Sequence, residues 1–359
     1  ISGLLDNNIV PPGISFFAFL YNFCPVFMFY HFSKTLKVLH FLLFTCLFLA
    51  SCGGGGSESD SLSDRVDPPV NPPSFSEECI DAGLNIERCT FTHNNIERYY
   101  LIYVPANIDQ SSEIPLLFSL HGYGGSAIRN IEYTNFRSIA DTYGFITIFP
   151  QGAPFTSQLG SSSSHWNSGG WTSGSNVDDV DFIDIIIDQS FTKYNIDQSR
   201  IYSTGMSNGG FMSYHLACSL SSKIAAIASV TGSMTFETYD ECNPSHPTPV
   251  LQIHGSMDST VPYSGNATLG MKSIPDSMNY WAAYNSCDAE PVIAITDFFD
   301  EGYSIQYDYY ENCLNNVSVE LVLHSSMRHT WPNADSLSLP ASQSIWNFLS
   351  QYDLNGLIN

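Results

Sequence analysis

The sequence predicts an α/β fold, a mostly parallel sheet with helices packed on both faces, and three observations predict it. Short runs rich in β-branched and aromatic residues alternate with longer runs of helical spacing, as strands joined by crossover helices do. Several of the short runs, 115–120 and 250–253 among them, are almost continuously apolar, which suits strands covered on both faces. The third is Gly205-Met206-Ser207-Asn208-Gly209-Gly210, set between a strand-like run, 200–204, and a helix-like run, 211–220. Strand, G-x-S-x-G and helix together make the setting of a nucleophile elbow. So sharp a turn holds its serine in a strained backbone conformation with the hydroxyl clear of the sheet. Gly205 and Gly209 must be small because neighbouring backbone crowds them. Standing alone, G-x-S-x-G is equally a plain Gly-rich turn, so the rest of the chain has to decide.

Taken in order, residues 1–27 begin without Met and mix Pro, Asn and aromatic residues; they are expected to be untranslated or unstructured, with the start at Met28. Residues 28–51 read as a signal peptide, in which Lys34 and Lys37 precede the apolar run 38–50, too short for a comfortable span. Leu49-Ala50-Ser51-Cys52 resembles a bacterial lipobox, whose cysteine carries the lipid. The expectation is an exported lipoprotein held at the outer membrane or cell surface, the membrane being touched only through the anchor. The plainer alternative is an ordinary signal peptide with an incidental cysteine, and a secreted product. Residues 52–76 are rich in Gly, Ser, Asp, Glu and Pro and read as a disordered tether, so the folded domain is 77–359.

The net charge of -23 argues against a nucleic-acid partner. Cysteine usage fits export. Six cysteines follow Cys52, an even set, and the chosen pairs are Cys79–Cys89, Cys218–Cys242 and Cys287–Cys313. Each pair brackets one short stretch of neighbouring elements. A zinc site is the rival, and no C-x-x-C or H-x-x-x-H spacing supports it.

Within the domain, 86–93 and 97–104 form an antiparallel hairpin around Asn94-Asn95. Strands are expected at 115–120, 145–149, 224–230, 250–253, 303–310 and 317–323. Helices are expected at 128–143, 180–194, 274–284 and 342–352, the second with Asp178, Asp179 and Asp181 about its first turn, where the helix dipole favours acids. In parallel sheets of this kind the ligand site lies beyond the carboxyl ends of the strands, and each remaining motif falls at such an end.

His121-Gly122-Tyr123-Gly124-Gly125 follows the strand ending at Leu120. No G-K-[ST] accompanies it, so a phosphate cradle gives way to half of an oxyanion hole. The backbone N–H of Tyr123 is one donor, and that of Asn208, next after the serine, is the other. His254-Gly255-Ser256-Met257-Asp258 follows the strand ending at Ile253, and Asp258 is the acid chosen to orient an imidazole. His254 is read as a structural histidine at the strand terminus. Arg328-His329-Thr330-Trp331-Pro332 follows the strand ending at Leu323, and His329 is the general base, with His324 the runner-up. His93, His165, His215 and His246 are read as packing or surface residues. The order Ser207, Asp258, His329 is that of α/β-hydrolases.

H-G-Y-G-G, G-M-S-N-G-G, H-G-S-M-D-x-x-V-P-Y and H-T-W-P, in this order, resemble the bacterial polyhydroxybutyrate depolymerase and feruloyl esterase family. Val177-Asp178-Asp179-Val180-Asp181-Phe182 is similar to a further stretch of that family. The resemblance covers roughly residues 95–350. It implies an α/β-hydrolase fold, a Ser207–Asp258–His329 triad and an oxyanion pair at Tyr123 and Asn208. Many depolymerases of solid polymer carry a separate binding domain and this chain ends with the catalytic one, so crystalline polymer is not the expected substrate.

The implied reaction is acyl transfer from an ester to water through an acyl-enzyme, and it calls for no metal or organic cofactor. Small soluble hydroxyalkanoate esters are the first expectation, feruloyl or acetylxylan esters the alternative. A peptidase on the same fold is weaker. A reading of another class is a non-catalytic lipoprotein that binds polysaccharide or a partner through aromatic side chains. Trp331, Trp166 and His121 are the candidates to line the substrate site. The loop 153–176, long and rich in Ser and Gly, carries Trp166 and Trp171.

Overall fold

The computed structural model describes residues 76–156, 162–298, 300–333 and 337–358. The expected signal peptide, Cys52 and the tether lie outside the described residues.

The chain opens on an antiparallel meander. Strand β1 (Glu77–Gly83) pairs with β2 (Ile86–His93), and β2 with β3 (Ile96–Tyr103). Asn94 and Asn95 both take positive φ, 49° and 63°, as a tight two-residue hairpin turn requires. Next come β4 (Ile114–Leu120) and two helices, α1 (Ala127–Thr134) and α2 (Phe136–Tyr143), where the sequence suggested one. The break is at Asn135, which is left-handed at φ 53° and closes α1 through its own N–H to Ile131 O. Asparagine is among the few residues that reach this conformation cheaply.

Strand β5 (Ile146–Pro150) and a small hairpin, β6 (Ala153–Thr156) with β7 (Ser162–His165), lead to α3 (Asp179–Lys193). Asp178 caps α3 by accepting from Asp181 N, with Asp179 and Asp181 in the first turn and Lys193 in the last. Then follow β8 (Ile196–Met206), α4 (Asn208–Ser219), β9 (Ala226–Val230), α5 (Phe236–Glu241) and β10 (Val250–Gly255). Helix α6 (Ile274–Tyr284) precedes β11 (Val292–Phe298), β12 (Tyr303–Tyr310) and β13 (Val319–His324), and a closing helix spans Ala341–Leu349.

Eleven strands make one sheet in the order β1-β2-β3-β5-β4-β8-β9-β10-β13-β12-β11. The parallel part is its centre, β5 through β13, and the two flanks are antiparallel. The central strands are those that read as continuous apolar runs: β4, β5, β9 and β10 are buried at every position. Helices α3, α4 and α6 bury Phe182, Ile186, Met212, Tyr214 and Trp281 against one face. Helices α1 and α2 and the closing helix bury Ile131, Phe136, Ile345 and Trp346 against the other. A large apolar side chain fully buried in this way contributes about 1.5–3 kcal/mol. Because the central strands run parallel, β4, β8, β10 and β13 deliver their following loops to one edge.

The three expected disulfides are present: Cys79–Cys89, Cys218–Cys242 and Cys287–Cys313. The first joins residues directly opposite one another on β1 and β2. Disulfides of this kind belong to an oxidising compartment, so the domain is built for export.

Candidate active site

Ser207 stands between β8 and α4 at φ 54° and ψ −122°, a conformation that costs a non-glycine residue about 1–3 kcal/mol. Its N–H donates to Val230 O, 2.8 Å, and its carbonyl accepts from Phe211 N, 3.0 Å, so strand and helix hold the strained turn from both sides. Crowding explains the flanking glycines. A Cβ on Gly209 would run into the Leu120 carbonyl, and one on Gly205 would come within 2.8 Å of the same oxygen. Nothing larger than glycine lets the elbow lie against the end of β4.

Asp258 and His329, expected as acid and base, follow the ends of neighbouring strands. His329 Nδ1 lies 2.7 Å from Asp258 Oδ2. The other carboxylate oxygen accepts from Thr260 N and Val261 N, each at 2.9 Å. Burial favours the neutral acid, but the bond from His329 and the two backbone N–H groups outweigh it and hold Asp258 below the usual carboxylate range. The two loops are laced together below this contact. Met257 N donates to Met327 O at 3.1 Å, Ser256 N to His324 O at 3.0 Å, and Ser256 Oγ to Ser325 O at 2.6 Å. A Cβ on Gly255 would meet the Met327 carbonyl head-on, so glycine is required for the loops to close.

The N–H groups expected to hold an oxyanion, those of Asn208 and Tyr123, follow the ends of β8 and β4. Asn208 is the first residue of α4, whose opening N–H groups have no intrahelical acceptor. Gly122 packs on the elbow: a Cβ there would lie 3.4 Å from both Met206 O and Ser207 Cβ. Ser207, His329, Gly122 and Tyr123 all line one cleft of about 550 Å³.

A sharp elbow, the contact between Asp258 and His329 and a central parallel sheet that delivers them to one edge decide the fold. It is the α/β-hydrolase fold. Residues 108–274 match the phospholipase/carboxylesterase family model. A complex of a pOPH variant with DMSO aligns over 79% of this chain and 90% of that one, at a TM-score of 0.50 and 14% identity, a likeness of fold. Among curated relatives, a bifunctional acetylxylan esterase/xylanase of Neocallimastix patriciarum is 26% identical over 72% of this chain and 34% of its own length. Feruloyl esterase B of Piromyces equi is 28% identical over 72% of this chain and 46% of its own. A probable feruloyl esterase C of Aspergillus clavatus is 33% identical over 50% and 61%. The chain thus spans between a third and under two thirds of these relatives, and its likeness is to carboxylic ester hydrolases.

The remaining histidines are held by contacts within the fold. His254 is fully buried. Gln252 Nε2 donates to its Nδ1 at 3.1 Å, leaving the proton on Nε2, 3.0 Å from Val261 O. Burial pushes its pKa down to about 4, so it stays neutral although Asp258 Oδ2 is 4.0 Å away. His324 is buried under Tyr303, with Nε2 on Leu337 O. His93 meets Asp181, His165 meets Ala153 O and Ser175, His215 meets Thr238, and His246 meets Pro247 O and Ile224 O.

Two expectations about the substrate wall are corrected. Trp331 does not line the cleft. Its indole Nε1 donates to Ser342 Oγ at 3.0 Å and its ring packs edge-on against Phe136, so it pins the histidine loop to the core. Trp166 is wholly buried. Its backbone N donates to Asn208 Oδ1 at 2.7 Å, its backbone O accepts from Asn208 Nδ2 at 2.9 Å, and its Nε1 donates to His121 O at 2.8 Å. The side chain of Asn208 therefore clamps the long loop to the elbow, and the indole ties that loop to the oxyanion loop. Asn167 N donates to Asp179, whose other oxygen takes Arg98 Nη2 at 2.7 Å in a buried ion pair, so α3 holds the far end.

His121 does border the cleft but faces inward, accepting from Gly152 N at Nε2 and bonding Gly122 O through Nδ1. Burial lowers its pKa to about 4, and it acts as a buttress rather than a contact for substrate. The half-exposed tryptophan is Trp171, edge-on to Phe211 at 4.7 Å in a small cluster with Val261 and Met271. Missed in the sequence was that α1 turns Arg129, Glu132 and Tyr133 to the cleft. Tyr133 also accepts from Trp331 N, 2.9 Å, and so holds the histidine loop. No motif marks these residues; they become visible only once α1 is seen to follow the oxyanion loop directly.

Proposed function

We propose that this chain is a serine carboxylic ester hydrolase that removes feruloyl or acetyl groups from carbohydrate. Ser207 Oγ attacks the ester carbonyl carbon while His329 accepts the hydroxyl proton through Nε2. Asp258 fixes the imidazole with its Nδ1 proton directed at the carboxylate and stabilises the imidazolium. The carbonyl oxygen, now negative, is held by the N–H groups of Asn208 and Tyr123. Collapse expels the alcohol, which takes the proton from His329 and leaves an acyl-Ser207. Water, deprotonated by His329, then releases the acid and frees the serine.

The observation that carries this reading is the 2.7 Å bond between His329 and Asp258, on adjacent strand ends, beside a serine strained into an elbow in the same cleft. The acyl group is inferred from what the relatives are named for, feruloyl and acetylxylan esters. Hydroxyalkanoate oligomers are the second reading, since the motifs resemble a family that includes polyhydroxybutyrate depolymerases. Steady-state kinetics on methyl ferulate, acetylated xylan oligosaccharide and a hydroxybutyrate trimer separates them. The first two should be cleaved with the higher kcat/KM, and a trimer cleaved alone would reverse the order. Cys52 is proposed as a lipid anchor on its L-A-S-C context, and Cys52→Ser should abolish labelling by a fatty-acid probe.

A further inference from the structure

The cleft beside Ser207 holds a positive charge that the fold does not use. The chain has 12 Lys and Arg against 35 Asp and Glu. Arg98, Lys193, Arg200 and Lys223 are all ion-paired, and Arg88 and Lys272 lie over tyrosine rings. Arg129, Arg137 and Arg328 are in no ion pair among the described residues, and of these three only Arg129 lines the cleft. It projects from α1, one turn beyond the Ser126 cap, into the cleft that Ser207 and His329 share. Among the described residues no carboxylate lies within 4 Å of its guanidinium. Glu132, three residues on, lines the same cleft without pairing with it. The other acid of the site, Asp258, is buried and committed to His329.

An unpaired guanidinium offers a planar fork of donors matched to a carboxylate. It also answers a difficulty. A protein of charge -23 repels anions, and only a cation at the site reverses that locally. We infer that Arg129 is a specificity residue that binds a carboxylate carried by the alcohol portion of the ester. The inference rests on the ester-hydrolase reading. Acetyl and feruloyl groups carry no carboxylate, so the anion belongs to the alcohol: a uronic acid unit of a glycan, or the terminal hydroxy acid of an oligoester. A cleft of about 550 Å³ has room for such a group beside the acyl chain.

The test compares matched pairs of substrates with the carboxylate free or methylated: acetylated galacturonic acid against its methyl ester, and hydroxybutyrate dimer against its methyl ester. The readout is the ratio of kcat/KM, free acid over methyl ester. The wild type should favour the free acid by about two- to fivefold in at least one pair, the size of an exposed ion pair, and the favoured pair identifies the source. The preference should shrink as salt is raised. Arg129→Gln should bring the ratio to one or below, Arg129→Lys should restore part of it, and Glu132→Gln should raise it. A wild-type ratio at or below one in both pairs overturns the inference, as does a ratio unmoved in Arg129→Gln. If neither the acids nor the methyl esters are cleaved, the ester-hydrolase reading fails; if the methyl esters are cleaved without discrimination, only the role of Arg129 fails.

Discussion

At the scale of single residues, environment separates chemistry from support. Three histidines lie about Ser207 and Asp258, and they differ in burial. His121 and His254 are walled in and held neutral, while His329 keeps one face open to the cleft and the other on Asp258. This has a consequence for stability. Both buried histidines have folded pKa values near 4 against about 6.5 in the unfolded chain. Below pH 6.5 the unfolded chain takes up protons that the folded one refuses. Stability is therefore full above pH 6.5 and falls as pH drops towards 4, by up to about 3 kcal/mol for each histidine. Urea melts between pH 7 and 4.5 should show this fall, with a shallower slope in His254→Gln. The tryptophans give a second contrast. Trp331→Ala should cost about 3–5 kcal/mol with acyl preference unchanged, as removal of a core aromatic does. Trp171, half-exposed and likewise outside the cleft lining, should cost little stability when replaced by alanine. Thermal melts and kinetics on methyl ferulate and a short acetyl ester distinguish the two.

At the scale of elements, what the sequence revealed was what local chemistry dictates. The hairpin at Asn94-Asn95, the capped acidic start of α3 and the elbow were legible because turn residues, caps and close-packed glycines leave marks on composition. The break at Asn135 was not, because the apolar spacing runs on across it and only a left-handed residue parts α1 from α2. Strand β11 was missed although Val292, Ile293 and Ile295 are β-branched; it lies exposed at the sheet edge, where no buried face imprints alternation. The clamp between Asn208 and Trp166 was equally hidden, joining residues 42 apart through a side chain and a backbone. Asn208→Ala keeps the backbone donor but frees the loop that positions it. It should lower kcat about 10- to 100-fold with KM nearly unchanged. A fall in KM-dependent binding alone would assign Asn208 to substrate instead.

At the scale of the whole molecule, the parallel centre of the sheet is the device that makes a site from distant segments. It gathers the loops after β4, β8, β10 and β13 at one edge, and the antiparallel flanks extend the sheet without taking part. The order of motifs along the chain was enough to anticipate that gathering, since every strand end in such a sheet points the same way. The shape of the cleft was not, because α1, which lines it, carries no signature. The disulfides act at this scale too. Each should contribute about 2–4 kcal/mol, so replacing either the Cys218–Cys242 or the Cys287–Cys313 pair with serine should lower the melting temperature without abolishing turnover.

The central claim is that Ser207, Asp258 and His329 act as one nucleophilic unit. It is tested most directly by reacting the folded protein with a fluorophosphonate and mapping the adduct by mass spectrometry. The account predicts a single adduct on the peptide containing Ser207, none in Ser207→Ala, and labelling slowed by about 10³-fold or more in His329→Ala, since triad members fail together. A folded protein that takes no label, that is labelled at another serine, or that reacts at an undiminished rate in His329→Ala would contradict it.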